Sequence, residues 1–546
     1  KCLLSNNVAK PHPSYPIAMV RYLFASFLTL GLICSLSFGF IVLILLMSGE
    51  LNLWIAIFIT LAINLLILFI SPWFTDLINR WFYHLTFLTP EEVKAKHPEV
   101  AELIKKICDQ YKFKFPKVGI IADKNPTAFT YGSGRYNARL VLTEGIFHFL
   151  NTEEQKAVVA HEMGHIVNRD FIVMMIASTA VQILYQIYAV LIRAKGKKAG
   201  NAILVALAAY IAYVICVYLL LYLSRTREYL ADRFSTNWTQ PRHLAEALIK
   251  IAYGIVTAPD EGRSKDLLRS TRHLGIVDVK NAKHIGVVSY ITHENPDRIS
   301  DVMVFDRVNP WAKIIELNST HPLTGNRLDH LSDISREKNQ AFPYDIDKAV
   351  ERMKPDYGKL YGRFFTDLFV SLVPFLLAGI SLLILPSYFA IAAFGLGLFL
   401  RIFYKYPGGT PKESTVLDEM CDPYLSPVRG KAVSLKGKVI GQGVPGYIFS
   451  EDMMFQDKSG MSFLDYNSAW GFIGNLFFAL TKVKAYFGLE SEAKGWFFRG
   501  MGSRIMMGSL QTKDGLLESY PRLWSFIFAI LVTGAGLVLG MNPGIL

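Results

Sequence analysis

Thr152-Glu153-Glu154-Gln155-Lys156-Ala157-Val158-Val159-Ala160-His161-Glu162-Met163-Gly164-His165 is the stretch from which the rest of the chain can be read. Thr152 with Gln155 reads as a capping box that opens a helix. On that helix His161 and His165 stand four residues apart and share one face, where two imidazoles can grip one Zn²⁺. Glu162 lies one residue on from His161. It can reach the attacking water without ligating the metal, which suits a general base that later protonates a leaving amine. Taken alone, the pattern also fits an ordinary pair of helical histidines.

Just downstream, residues 171–192 and 199–223 carry no charge. A bilayer core needs about 20 apolar residues, so the two stretches read as an apolar hairpin. From His165 the helix can run to about Arg193, with a return helix from about Gly200. Each arm is then about 42 Å long at the standard rise. Equal arms bring the chain back to the metal near residue 228, within Ser224-Arg225-Thr226-Arg227-Glu228-Tyr229-Leu230-Ala231-Asp232. Glu228 is the carboxylate that would complete a His₂Glu site. A charged helix end capping an apolar span is the plainer reading of that run.

Further charge-free stretches cover 22–49 and 51–75, separated by Glu50. They read as a membrane hairpin. Lys1, Lys10 and Arg21 precede it and its tip has no Lys or Arg, so the N-terminus should face the cytoplasm. Residues 368–400, with Pro374 and Pro386, read as a tight helical pair, and 523–546 as a last span. If all cross, there are seven spans, and 76–170, 224–366 and 401–522 share the cytoplasmic side. Against this count, the tip carrying Arg193, Lys195, Lys197 and Lys198 would lie outside.

The composition agrees with a membrane protein. The chain has 546 residues, 52% hydrophobic and only 19% charged, with mean hydropathy +0.29. That excludes a disordered, fibrous or highly charged cytosolic protein. The net charge of +12 suits loops facing an anionic leaflet and not nucleic acid. Five dispersed cysteines give no disulfide framework and no cysteine zinc knuckle. The chain begins with Lys1 and not Met, as a trimmed chain would.

Between the apolar stretches, 76–170 reads as mixed α/β. Thr89-Pro90-Glu91-Glu92 starts a helix, and 118–121 and 138–143 are strands. Short β-like runs at 430–440, 461–466, 495–499 and 503–511 point to a small barrel or sandwich. Residues 469–487 read as an amphipathic helix lying on the membrane. The expected organisation is an N-terminal transmembrane hairpin (1–75), a metallopeptidase domain (76–340) that includes the 171–223 hairpin, and a helical pair (361–404). A β-rich module (405–522) and a last transmembrane helix (523–546) complete it.

Several separated motifs resemble those of the M48 metallopeptidases, particularly HtpX-like membrane proteases and, more distantly, the Ste24 CAAX prenyl proteases. They are His161-Glu-Met-Gly-His165 with Asn168-Arg169-Asp170, and Ser224-Arg225-x-x-Glu228-x-x-Ala231-Asp232. Two more are Ser319-Thr-His321-Pro322-Leu-Thr-Gly-Asn-Arg327 and Asn125-Pro-Thr-Ala-Phe129, with a strand ending Leu142-Thr143-Glu144-Gly145. The resemblance spans about residues 15–335. It implies an α+β gluzincin-type metallopeptidase domain among α-helical transmembrane segments. One Zn²⁺ per chain would be held by His161, His165 and Glu228. Glu162 and His321 would be catalytic, with His321 steadying the oxyanion and Arg327 as its structural or electrostatic partner. Asp232, and similarly Asn168 and Asp170, would support the ligands from behind. Strand 137–143 is similar in position to the edge strand on which family substrates align; its residues alone read equally well as an ordinary buried strand.

The long tail and the extended 258–310 segment depart from the compact HtpX-like pattern. The tail looks faintly like membrane-tethered OB-like modules of the NfeD type. The function these readings imply is a membrane zinc endopeptidase acting on misfolded or membrane proteins from the cytoplasmic side of the inner or plasma membrane. Its partners are polypeptides and the lipid bilayer, with no nucleic acid. A Ste24-like processing protease, or a scaffold working through the β module, are the alternatives.

Overall fold

The computed structural model describes residues 53–192, 199–257, 296–386, 388–442, 451–500 and 502–541. The described residues divide into two compact units, one of 53–257 and 316–343, the other of 296–315 and 344–541. The expected span at 22–49, the basic tip at 193–198 and most of the 258–310 segment lie outside the described residues.

The first unit begins with the apolar helix α1 (Leu53–Tyr83). Strand β1 (Thr86–Leu88) leads to α2 (Pro90–Lys96), which starts as its sequence dictates. Thr89 Oγ1 accepts from the Glu92 amide and Glu92 Oε2 from the Thr89 amide, with Pro90 in the first turn. Helix α3 (Pro98–Tyr111) follows, then β2 (Lys117–Ile121), β3 (Ala128–Gly132) and β4 (Ala138–Thr143). The sheet order is β1-β2-β4-β3, with β2 and β4 parallel and the other pairs antiparallel. Strand β4 is therefore internal and buried throughout, not the edge strand expected for 137–143. The edge beyond it belongs to β3, a five-residue strand between Asn125-Pro126 and Ser133-Gly134.

Helices α4 (Glu144–Phe149) and α5 (Thr152–Val167) come next. The capping box of α5 sits one residue earlier than expected. Asn151 Oδ1 accepts from the Glu154 amide at 3.0 Å, and Glu154 Oε2 from the Asn151 amide at 2.9 Å. Nor does α5 run on to Arg193. It ends at Asn168, and Arg169 takes a left-handed φ of 57° before α6 (Asp170–Leu191) begins in a new direction. Helix α7 (Ala199–Ser235) is a single 37-residue helix. Small residues at the α6–α7 seam, Ala177, Ala180, Ala212 and Cys216, let the two backbones approach. Helices α8 (Pro241–Thr257) and α9 (Thr324–Glu337) complete the unit.

The second unit holds α10 (Tyr357–Ile384), with Pro374 inside it and not at the turn, and α11 (Phe389–Lys405). A Cβ on Gly397 would stand 2.4 Å from the Pro374 Cα, so only glycine permits this crossing. The closed barrel that follows is β6 (Lys431–Gln442), β7 (Met453–Gln456), β8 (Met461–Asp465), β9 (Glu490–Arg499) and β10 (Ser503–Thr512). Its ring runs β6-β7-β8-β10-β9 and back to β6, with β8 and β10 parallel and every other pair antiparallel. Short strands β5 (Lys412–Ser414) and β11 (Gly515–Glu518) flank it. Helix α12 (Gly471–Thr481) joins β8 to β9, and α13 (Leu523–Met541) ends the described chain.

Among the described residues four helices are long and apolar enough to cross a membrane: Asp170–Ala189, Ala202–Ser235, Tyr357–Ile384 and Leu523–Met541. The sequence count of seven spans is not reached there. Helix α11 has 17 residues, about 26 Å at the standard rise and short of the hydrocarbon thickness.

Candidate active site

Helix α5 presents His161, Glu162 and His165 to α7, and two features bring the helices close. Gly164 has no side chain where a Cβ would meet the Phe234 Cβ at 3.1 Å and the Ala231 Cα at 3.2 Å. Ser235 Oγ also donates to the Ala157 carbonyl at 2.7 Å. At that separation Glu228 reaches both imidazoles. His161 Nε2 lies 3.5 Å from Glu228 Oε2, and His165 Nε2 lies 3.6 Å from Oε1. The two Nε2 atoms are 3.3 Å apart. One ligand atom from each of the three residues falls within 4.8 Å of the others.

Both imidazoles are held from behind. His161 Nδ1 stands 2.9 Å from Asp232 Oδ1, and His165 Nδ1 stands 2.6 Å from Asp170 Oδ2. Carboxylates at Nδ1 leave each Nε2 turned inward and able to ligate a metal. The left-handed turn at Arg169 is what returns Asp170 to His165. Asp170 also pairs with Arg227, whose Nη2 donates to the Asn168 carbonyl at 2.7 Å. Asn168 thus enters through its backbone. Arg327 Nε donates to Asp232 Oδ2 at 2.9 Å, and its Nη1 lies 3.7 Å from Glu228 Oε2.

His321 enters from the loop before α9, its Nε2 3.6 Å from Glu228 Oε1. Sequence reasoning missed the residues that hold this loop. Arg225 Nη1 donates to the carbonyls of Glu316 and Ser319, each at 2.8 Å. Glu316 Oε1 accepts from the Leu323 amide and from Asn326 Nδ2, each at 3.0 Å. The signal for Arg225 was present, since an arginine at the end of an apolar span needs buried acceptors. Its partners lie more than 90 residues away and nothing local announces them.

Burial raises the pKa of the Glu162 carboxyl above the ordinary carboxylate range. Both of its oxygens are buried, and beyond the Thr130 side chain neither has a hydrogen-bond partner among the described residues, nor has Glu228 Oε2. Burial opposes charge on the His161 imidazole, but Asp232 and Glu228 outweigh it and raise its pKa to about 9. Burial lowers the pKa of His165. Orphaned carboxylate oxygens beside two inward Nε2 atoms are what a divalent cation with nitrogen and oxygen ligands fits.

The model of Peptidase family M48 matches residues 94–335. A Protease HtpX homolog of Pyrococcus abyssi (strain GE5 / Orsay) is 32% identical over 308 residues, covering 54% of this chain and 91% of that protein. A second Protease HtpX homolog, from Pyrococcus furiosus, is 30% identical over 305 residues, again covering 54% and 91%. The crystal structure of S. mikatae Ste24p matches at a TM-score of 0.33 and 18% identity, over 58% of this chain and 67% of that one, a likeness too slight to argue from. Identity of that order across nine-tenths of an HtpX relative, with the apolar helices already described, means that this chain belongs to Peptidase family M48 and is a multi-pass membrane metallopeptidase.

Proposed function

We propose that the protein is a zinc-dependent endopeptidase that hydrolyses peptide bonds of membrane or misfolded proteins at the cytoplasmic face of the inner or plasma membrane. The observation that carries this is the gathering of His161, His165 and Glu228 ligand atoms within 4.8 Å, beside the buried carboxylate of Glu162. The printed names of the relatives, Protease HtpX homolog, support the peptidase part.

When bound, Zn²⁺ polarises the scissile carbonyl and lowers the pKa of water to about 7. His161, His165 and Glu228 would hold it, with Asp232 and Asp170 fixing the imidazoles. Glu162, its pKa raised by burial, accepts a proton from the attacking water and delivers it to the leaving amine. His321 donates to the oxygen on which negative charge develops, in a loop made rigid by Arg225 and Glu316. An extended substrate would lie along β3, which pairs with β4 alone among the described residues. We also read the barrel as OB-like, supported by its five-strand ring with one parallel pair and a helix between the third and fourth strands.

The test is zinc stoichiometry together with cleavage of an unfolded membrane protein. Wild type should hold one zinc and cleave, chelator should abolish cleavage, and Glu228→Ala should lose the metal. Unchanged zinc in Glu228→Ala, or cleavage that survives chelation, would refute the ligand assignment.

A further inference from the structure

Helix α12 leaves the barrel with its apolar side chains turned outward. Trp470 is 80% exposed, Phe472 79%, Ile473 77%, Phe477 57% and Leu480 56%. Ile473, Phe477 and Leu480 follow the i, i+4, i+7 spacing of one helical face. The opposite face is anchored. Phe478 and Ala479 are buried, and Phe478 stacks on Tyr466 with ring centroids 4.1 Å apart. Asn475 accepts from the Ser468 amide at 2.7 Å and donates to Glu451 at 3.0 Å. The helix is thus fixed to the barrel by one side while the other presents large apolar residues to the surroundings. A soluble surface rarely tolerates such a patch without a partner.

Three observations say what the partner is. Gly471, at φ +58°, comes so close to Trp524 that a Cβ would stand 2.7 Å from its indole. Trp524 is the second residue of α13, so the start of α12 sits where a membrane-crossing helix begins. Tryptophans such as Trp470 and Trp524 favour that boundary. The helix has 11 residues, about 16 Å, far too short to cross. It ends at Lys482 and Lys484, both exposed, and Lys482 Nζ lies 5.9 Å from the Phe477 ring centroid. An apolar face edged by lysines matches acyl chains below and anionic headgroups beside them.

We propose that α12 lies in the interface of the bilayer that α13 crosses, with Ile473, Phe477 and Leu480 among the upper acyl chains and Lys482 and Lys484 at anionic headgroups. The barrel is then attached to the membrane along its side as well as through its flanking helices. This does not depend on the peptidase reading.

In full-length protein with its five cysteines replaced by serine, single spin labels are placed at Phe472→Cys, Ile473→Cys, Phe477→Cys or Leu480→Cys. A label at Lys513→Cys, an exposed residue of the barrel, is the aqueous reference. In nanodiscs containing anionic lipid, the ratio of oxygen to nickel-chelate accessibility should be several-fold higher at all four sites than at Lys513. Equal ratios would place the face in water and overturn the proposal. Shielding from both reagents would mean that protein covers it, whether another segment, a second copy or a substrate, and would overturn it too. Photolabelling of the unsubstituted protein by a diazirine lipid repeats the test without mutation. Adducts mapping to 470–480 are expected, and their absence, with adducts present on α13, would count against it.

Discussion

Two buried carboxylate clusters, one in each unit, separate what a fold needs from what a reaction needs. In the second unit Asp367, inside the long apolar α10, is fully satisfied. Its Oδ2 accepts from Trp311 Nε1 at 2.9 Å and from Ser426 Oγ at 2.5 Å, and its Oδ1 from Tyr404 at 2.7 Å. In the first unit Glu162 is just as buried, and beyond the Thr130 side chain neither oxygen has a hydrogen-bond partner among the described residues. The first pattern fastens helices and a loop together and asks for nothing more. The second is costly unless something else arrives. Burial is common to both; the acceptors left over in the first unit are what the proposed reaction would use.

The difference can be broken or sharpened by experiment. The largest expected effect is Glu162→Gln, which should cut peptide hydrolysis by about 10²–10⁴-fold while zinc content stays at wild-type level. Loss of zinc in that variant would make Glu162 a ligand and collapse the contrast. Acidity comes next. His161 must be neutral to bind metal and its pKa is raised to about 9, so below that pH binding must displace a proton. Apparent zinc affinity, measured by chelator competition, should weaken about 50-fold between pH 9 and pH 7. A flat profile would mean that Asp232 and Glu228 do not hold that proton. Asp232→Asn and Asp170→Asn should each lower zinc affinity about 10–100-fold, and wild-type affinity in both would show that the carboxylates behind the imidazoles are not needed. Asp367→Ala should have the smallest effect on the metal, with zinc affinity unchanged. It should lower unfolding stability by about 1–3 kcal/mol for each donor left unpaired; altered zinc binding would erase the distinction.

What the sequence made legible follows from the range of each interaction. His161, Glu162 and His165 lie within one helical turn or so, and spacing alone places the two imidazoles together. Glu228 was reachable because an apolar hairpin must return to where it started, even though the helix proved to break at Asn168-Arg169. The error there was local. Nothing in the residue type of Arg169 announces its left-handed turn, which brings Asp170 to His165 and Arg227. The misread edge of the sheet was a matter of topology. The edge reading of 137–143 came from the family resemblance, while the residues alone fitted a buried strand equally well, and the short β3 that covers β4 lies among turn formers. The Asp76–Arg139 pair, at 2.9 Å and 63 residues apart, joins α1 to β4, and no periodicity could have suggested it. In the second unit 461–466 and 503–511 were near their observed bounds. Strand β7 was missed because its four residues, Met453–Gln456, are too few to show alternation.

Helix α7 carries Glu228 on the same unbroken rod whose apolar stretch is long enough to cross a bilayer. From Ala202 to Glu228 that rod is about 39 Å long at the standard rise, so one degree of tilt about its far end displaces the carboxylate by about 0.7 Å. A helix whose apolar length exceeds the local hydrocarbon thickness adapts by tilting. Glu228 therefore stands at the far end of a long rigid arm, where a tilt of a few degrees would carry its carboxylate about as far as a metal–ligand bond is long.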